Sequence, residues 1–126
     1  MKSLALHLLP GRFAVCRLPP DAPLPEARSP GLWSATRTAD ELSIVLSEEE
    51  RRPEWKAETG WRCLQVAGPL DFGLTGILAS LATPLAAAGV SLFAVSTYDT
   101  DYVLVRQESL GRAREALEAA GHQVSP

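Results

Sequence analysis

The chain has 126 residues, 46% of them hydrophobic, which suits one domain or two small ones sharing a core and argues against disorder. Its formal charge of −3 is made of interleaved acidic and basic residues, so it carries no electrostatic footprint for nucleic acid or anionic lipid. The small clusters Arg51-Arg52 and Arg112/Arg114 sit among glutamates and read as solvated faces.

Leu4, Leu6 and Leu8 alternate with Ala5 and His7, the period of a strand with one buried face. Pro10-Gly11 turns the chain into a second strand, Phe13 to Leu18. Residues 19–31 hold Pro19, Pro20, Pro23, Pro25 and Pro30 and read as a loop, with at most a helical turn near 25–28. Strands are expected at Leu32 to Thr36 and Leu42 to Leu46. A capped helical turn follows at Ser47 to Arg52, ended by Pro53, and then a polar connection from Glu54 to Gly60.

From there the pattern is cleaner. Trp61 to Ala67 reads as a strand, and Gly68-Pro69 as a break. Asp71 is a good N-cap for a helix carrying Leu74, Ile77, Leu78, Leu81, Leu85 and Ala88 at helical spacing, with Gly89 as its stop. Val90 to Val95 and Asp101 to Arg106 form a hairpin around the polar run Ser96-Thr97-Tyr98-Asp99-Thr100-Asp101. Ser109 caps a last helix with Leu110, Ala113, Leu117 and Ala120 inward, Gly121 stops it, and His122 to Val124 can close as a short strand. The order β-α-β-β-α-(β) is that of a ferredoxin-like sandwich.

Phe72 to Tyr98 contains no charged residue and is long enough to span a bilayer. Gly73, Gly76, Ser80, Thr83, Pro84 and Gly89 interrupt it and its leucines form one stripe, so a helix plus a buried strand is expected and no membrane association. The first half echoes the second. Pro10 to Phe13 matches Pro69 to Phe72 fifty-nine positions on, and Thr36 to Val45 matches Ser96 to Val105 sixty positions on. Two related modules follow, 1–60 and 61–126, the first degenerate where the proline-rich loop replaces a regular helix.

No catalytic signature is present: no G-x-S-x-G elbow, no phosphate loop, no histidine pair at metal spacing. His7 and His122 read as surface or edge residues. Cys16 and Cys63 lack redox or zinc spacing, and with no secretory signal at the start the expectation is a cytoplasmic protein with reduced, buried thiols. Asp99 and Asp101 could hold a cation or share a proton, but two carboxylates in a hairpin are usually turn formers. Catalytic residues, metal and cofactor are therefore all expected to be none. Binding fares better. The unpaired N–H groups of a helix start near Asp71 suit a carboxylate, Gly73 would let a ligand approach the backbone, and Asp101 could face an ammonium group. That pairing suits a zwitterion, and so a free amino acid.

The stretches 8–18 (LLPGRFAVCRL), 33–45 (WSATRTADELSIV), 68–78 (GPLDFGLTGIL) and 96–105 (STYDTDYVLV) resemble the small bacterial tandem ACT-domain proteins, related to the ACT modules of aspartate kinases and to CASTOR-type arginine sensors. The resemblance covers nearly the whole chain. It implies an α+β fold of two ferredoxin-like βαββαβ modules in tandem, the first degenerate, with antiparallel sheets and helices on one face. It also implies a regulatory protein that binds a small ligand, typically an amino acid, without catalysis. Position by position, the ligand-facing turn falls on Leu70, Asp71, Phe72, Gly73, Leu74 and Thr75. The facing hairpin falls on Ser96, Thr97, Tyr98, Asp99, Thr100 and Asp101, with Asp101 as the polar contact and Tyr98 as a wall or lid. The kinase domain is absent, so the regulated protein is unknown. The arginine sensors carry two such tandems, so a homodimer through sheet edges or helices is expected. The alternatives are a protein–protein interaction module without a small ligand, and a small enzyme built on Asp99 and Asp101 or on Cys63.

Overall fold

The computed structural model describes residues 3–71 and 74–126. The chain forms two compact units, Gly11–Trp61 and a larger one joining Met1–Pro10 to Arg62–Pro126. The expected division at residue 60 did not assign the first ten residues to the second unit.

In the smaller unit, β2 (Phe13–Leu18) pairs antiparallel with β4 (Leu42–Ser47), which pairs antiparallel with β3 (Ser34–Arg37). On its other side β2 meets the first part of β5 (Lys56–Val66), also antiparallel. The order β3-β4-β2-β5 is the ferredoxin-like one, with residues 19–33 in place of the first helix and a single 3-10 turn, Glu48–Glu50, in place of the second. Ala14, Cys16, Leu18, Leu42, Ile44 and Leu46 form its core, covered by Ala22, Trp33 and Trp55 instead of a helix.

The stretch from Lys56 to Gly60, expected to be a connection, belongs to a strand of 11 residues. Lys56, Ala57 and Glu58 pair with Arg17, Cys16 and Val15. The ladder then shifts register between Val15 and Phe13, beside Gly60 at φ +79°. This is a glycine bulge, and the Glu48 carboxylate accepts the Gly60 N–H at 2.7 Å. Polar side chains on a half-exposed strand carry no apolar alternation, so the strand leaves no hydrophobic signal.

In the larger unit β1 (Ala5–Leu8) pairs antiparallel with the end of β5 and parallel with β8 (Gln123–Ser125). Hairpin strands β6 (Leu92–Ser96) and β7 (Asp101–Arg106) continue the sheet, β7 pairing with β5. A ferredoxin-like sheet would place β8 beside β5; here β1 is inserted between them, which is why the first ten residues belong to this unit. The α1 helix (Ile77–Ala87) and α2 helix (Leu110–Ala119) pack with it through Leu81, Leu85, Ala113 and Leu117, against Leu6, Leu64, Val66, Val103 and Val105. Each inward strand residue is two positions from the next, so one face of the sheet takes both helices.

Both helices end in the same way. Gly89 and Gly121 take φ +73° and +97°, Val90 N–H reaches back to Leu85 O at 2.9 Å, and His122 N–H to Leu117 O at 3.0 Å. These are glycine-terminated helix stops at the two positions expected. The start of α2 differs from expectation, because Ser109 makes no capping bond and ends a 3-10 turn that runs into the helix. Among the described residues, no helix is long and apolar enough to cross a membrane.

The hairpins of the two units correspond. Thr38 N–H donates to Glu41 O at 2.9 Å, and Thr97 N–H to Thr100 O at 2.8 Å, fifty-nine positions on. The burial patterns of β4 and β7 also match at that offset, three consecutive buried residues falling on Ile44–Leu46 and on Val103–Val105. The gapless match at sixty is therefore one residue out of register and would exchange inward for outward side chains. The Pro10-to-Phe13 stretch leads into β2, whereas Pro69 follows β5 and Phe72 lies outside the described residues.

Candidate functional site

Beyond β5 the chain passes Gly68-Pro69, a cis peptide bond, and comes up against the tip of the β6–β7 hairpin. Leu70 N–H donates to Asp99 O at 2.7 Å, and Thr100 Oγ1–H donates to Val66 O. A Cβ on Gly68 would lie 3.1 Å from both Asp99 O and Thr100 Cβ. That is tighter than ordinary van der Waals contact, so a side chain there would press on the hairpin and glycine eases the approach.

The helix does not begin at Asp71. The Asp71 carbonyl accepts Leu74 N–H at 3.0 Å, and α1 starts after Gly76, which takes φ +77°. Asp71 thus does not serve as the N-cap. Gly76 supplies no side-chain cap and no acidic residue lies in the first turn, and the N–H groups and dipole of such a helix start favour an anionic acceptor. Inside the helix, Ser80 N–H closes the first turn on Gly76 O at 2.9 Å.

Between the helix start and the hairpin lies an open cavity of about 400 Å³. Leu70, Asp71 and Leu74 line one side, Gly76, Ile77 and Leu78 a second, and Ser96 through Asp101 the third. Nine of the twelve residues expected at the site thus come together around one cavity. Thr75 is exposed and does not line it, and Phe72 and Gly73 lie outside the described residues. Gly76, Ile77 and Leu78 were not expected. A glycine directly before an apolar helical run is a permissible N-cap and was the available signal.

Three of the lining residues are carboxylic acids, Asp71, Asp99 and Asp101, and among the described residues that line the cavity none is basic. Leu70, Leu74, Ile77 and Leu78 supply apolar wall. Asp101 opens β7 opposite Ser96 and is half-buried, whereas Tyr98 is 80% exposed at the rim. Behind the hairpin, burial raises the Tyr102 phenol above its usual range, with Cys63 and Asp99 adding to the rise. Burial likewise pushes the Cys63 thiol up to about 12, so it is no nucleophile at neutral pH. Among the described residues, no three His, Cys, Asp or Glu side chains are placed so that they could hold one metal ion.

The ACT-domain family model matches residues 56–119, which covers β5 through α2. The chain belongs to the ACT-domain family. A second family model, describing an N-terminal domain, matches residues 11–58, close to the bounds of the smaller unit. The chain is 30% identical over 128 residues to the cytosolic arginine sensor for mTORC1 subunit 1 of Pongo abelii, a match covering 94% of this chain and 39% of that relative. It therefore spans about two-fifths of that relative's length. A crystal structure of an Agrobacterium tumefaciens protein matches with a TM-score of 0.93 at 36% identity, over 99% of this chain and 94% of that one. The regulatory subunit of aspartate kinase from Thermus thermophilus matches with a TM-score of 0.63 at 10% identity, over 95% and 99% of the two chains, a likeness of fold. The relation to arginine sensors expected from the sequence therefore holds, and the likeness to aspartate-kinase regulatory modules holds at the level of the fold.

Proposed function

We propose that the protein binds a free amino acid in the cavity between the α1 start and the β6–β7 hairpin, and that it regulates another protein without catalysing a reaction. The observation that carries this reading is the chemistry of the walls. An uncapped helix start suits the ligand carboxylate, and Asp101 suits its ammonium group. With Asp71 and Asp99 as further carboxylates and four aliphatic residues beside them, the walls favour a long basic side chain. One relative is an arginine sensor, which agrees with that choice.

Tyr98 stands at the rim, where a regulated protein could read the hairpin's state. We place the protein in the cytosol, as that relative's name describes it, and as a homodimer. In the larger unit β6 pairs with β7 alone among the described strands, leaving its other edge for a second copy. Calorimetric titration with arginine, lysine and glutamate tests the ligand assignment. Arginine or lysine is expected to bind, and preferential binding of glutamate would contradict the reading.

A further inference from the structure

Arg37 stands in the smaller unit where Ser96 stands in the larger one. Arg37 pairs with Leu42 and Ser96 with Asp101, and each is the last strand residue before a threonine-anchored turn. The two positions have opposite surroundings. Ser96 lines the open cavity. Arg37 instead extends its guanidinium to the proline-rich loop, Nη1 donating to Pro20 O and Nη2 to Ala22 O, the latter at 2.8 Å.

The loop partners correspond as well. Pro20 and Ala22 lie two and four residues beyond the end of β2, as Gly68 and Leu70 lie beyond the end of β5. In the larger unit that segment is tied to the hairpin by backbone, Leu70 N–H to Asp99 O. In the smaller unit the corresponding hairpin carbonyl, Asp40 O, is met by the side chain of Arg17 at 2.9 Å. In one unit, therefore, the Arg37 side chain bridges hairpin and loop and the Arg17 side chain ties β2 to the hairpin tip, where the other is closed by backbone and leaves a cavity beside the closure.

We propose that the Arg37 guanidinium is a built-in ligand of the smaller unit. It occupies the position that the larger unit leaves open, so no free ligand enters at that position, and deleting the side chain creates a guanidinium-binding site on the Pro20 and Ala22 carbonyls. The planar fork accounts for the choice of residue: two N–H groups of one guanidinium reach two carbonyls at once, which a lysine ammonium on a flexible stem does not reproduce. The inference rests on contacts within the smaller unit and not on which ligand the larger unit takes.

The test is amide hydrogen exchange over residues 19–31 in wild type, Arg37→Ser and Arg37→Lys, each with guanidinium chloride well below denaturing concentration and with sodium chloride at equal ionic strength. Both variants are expected to exchange faster in this loop than wild type. Guanidinium is expected to slow the loop again in Arg37→Ser, sodium to leave it fast, and wild type to respond to neither. Equal effects of the two salts on Arg37→Ser, or an unchanged loop in that variant, would overturn the proposal. If Arg37→Ser does not fold, Arg37→Lys decides: a loop as protected as in wild type sinks the idea, and a fast loop supports it.

Discussion

His122 donates its Nε2 proton to the carbonyl of Ser80 at 3.0 Å, and Ser80 is the residue whose helical partner four positions on is Pro84. Proline has no N–H, so this carbonyl lacks the i+4 donor that an α-helix would otherwise supply. Because Nδ1 accepts the Leu4 N–H at 3.1 Å, these bonds select the tautomer with its proton on Nε2. One buried imidazole thereby repairs a defect in α1 and anchors the start of the N-terminal segment, and its place after the last helix gave no hint of either role.

His122→Leu should leave the Leu4 N–H and the Ser80 carbonyl without partners, at about 1–3 kcal/mol for each group that stays buried. Pro84→Ala restores a donor to Ser80. The cost of His122→Leu should then fall by about 1 kcal/mol in the Pro84→Ala background, the worth of one hydrogen bond. Urea unfolding of the four proteins in the cycle measures it, and strict additivity would show that the Ser80 contact carries no energy.

Asp101→Ala should weaken ligand binding by about 1.5–3 kcal/mol, the range of a charge-assisted hydrogen bond, which is more than tenfold in affinity. The half-buried strand-start position should keep the fold intact. Calorimetry on the variant checks this, and wild-type affinity there removes Asp101 from the site.

Gly68→Ala places a Cβ at 3.1 Å from Asp99 O and from Thr100 Cβ. Overpacking of this kind costs about 1–3 kcal/mol. The Leu70-to-Asp99 hydrogen bond should lengthen or break, and ligand affinity should fall with it. Faster exchange of the Leu70 amide is the expected signature, and an unchanged amide would show that the segment has room to spare.

Stability should decline in alkali. The Cys63 thiol is raised from 9.0 to about 12 by burial, so the unfolded chain loses this proton first as pH rises. The contribution is fully present below pH 9 and is lost between pH 9 and 12. Tyr102 is raised too and acts in the same direction. In Cys63→Ala the slope of unfolding free energy against pH over that window should flatten, whatever the variant's absolute stability. An unchanged slope assigns the effect to other groups.

The sequence was most legible where apolar runs are bounded by polar turns. Phe13–Leu18 and Asp101–Arg106 are strands with the ends expected, and Gly89 and Gly121 stop their helices as expected. Much of the candidate site could be read for the same reason, since Ser96 to Asp101 is a polar run between two apolar strands. What could not be read depends on partners distant in sequence. Lys56 to Gly60 is strand because β2 lies beside it, and β1 enters the larger unit because β5 and β8 leave a place between them. The start of α1 was misplaced because Asp71 is the stronger local capping residue, whereas the helix begins after Gly76.

The central claim is that the cavity beside Asp101 takes a free basic amino acid, and thermal unfolding of the protein against each of the twenty amino acids tests it most directly. A ligand present at a hundred times its dissociation constant adds about 2.7 kcal/mol, enough to raise the midpoint by several degrees. Arginine or lysine should give the largest rise, and Asp101→Ala should lose it. A flat response to all twenty, or a rise that survives in Asp101→Ala, would contradict the account.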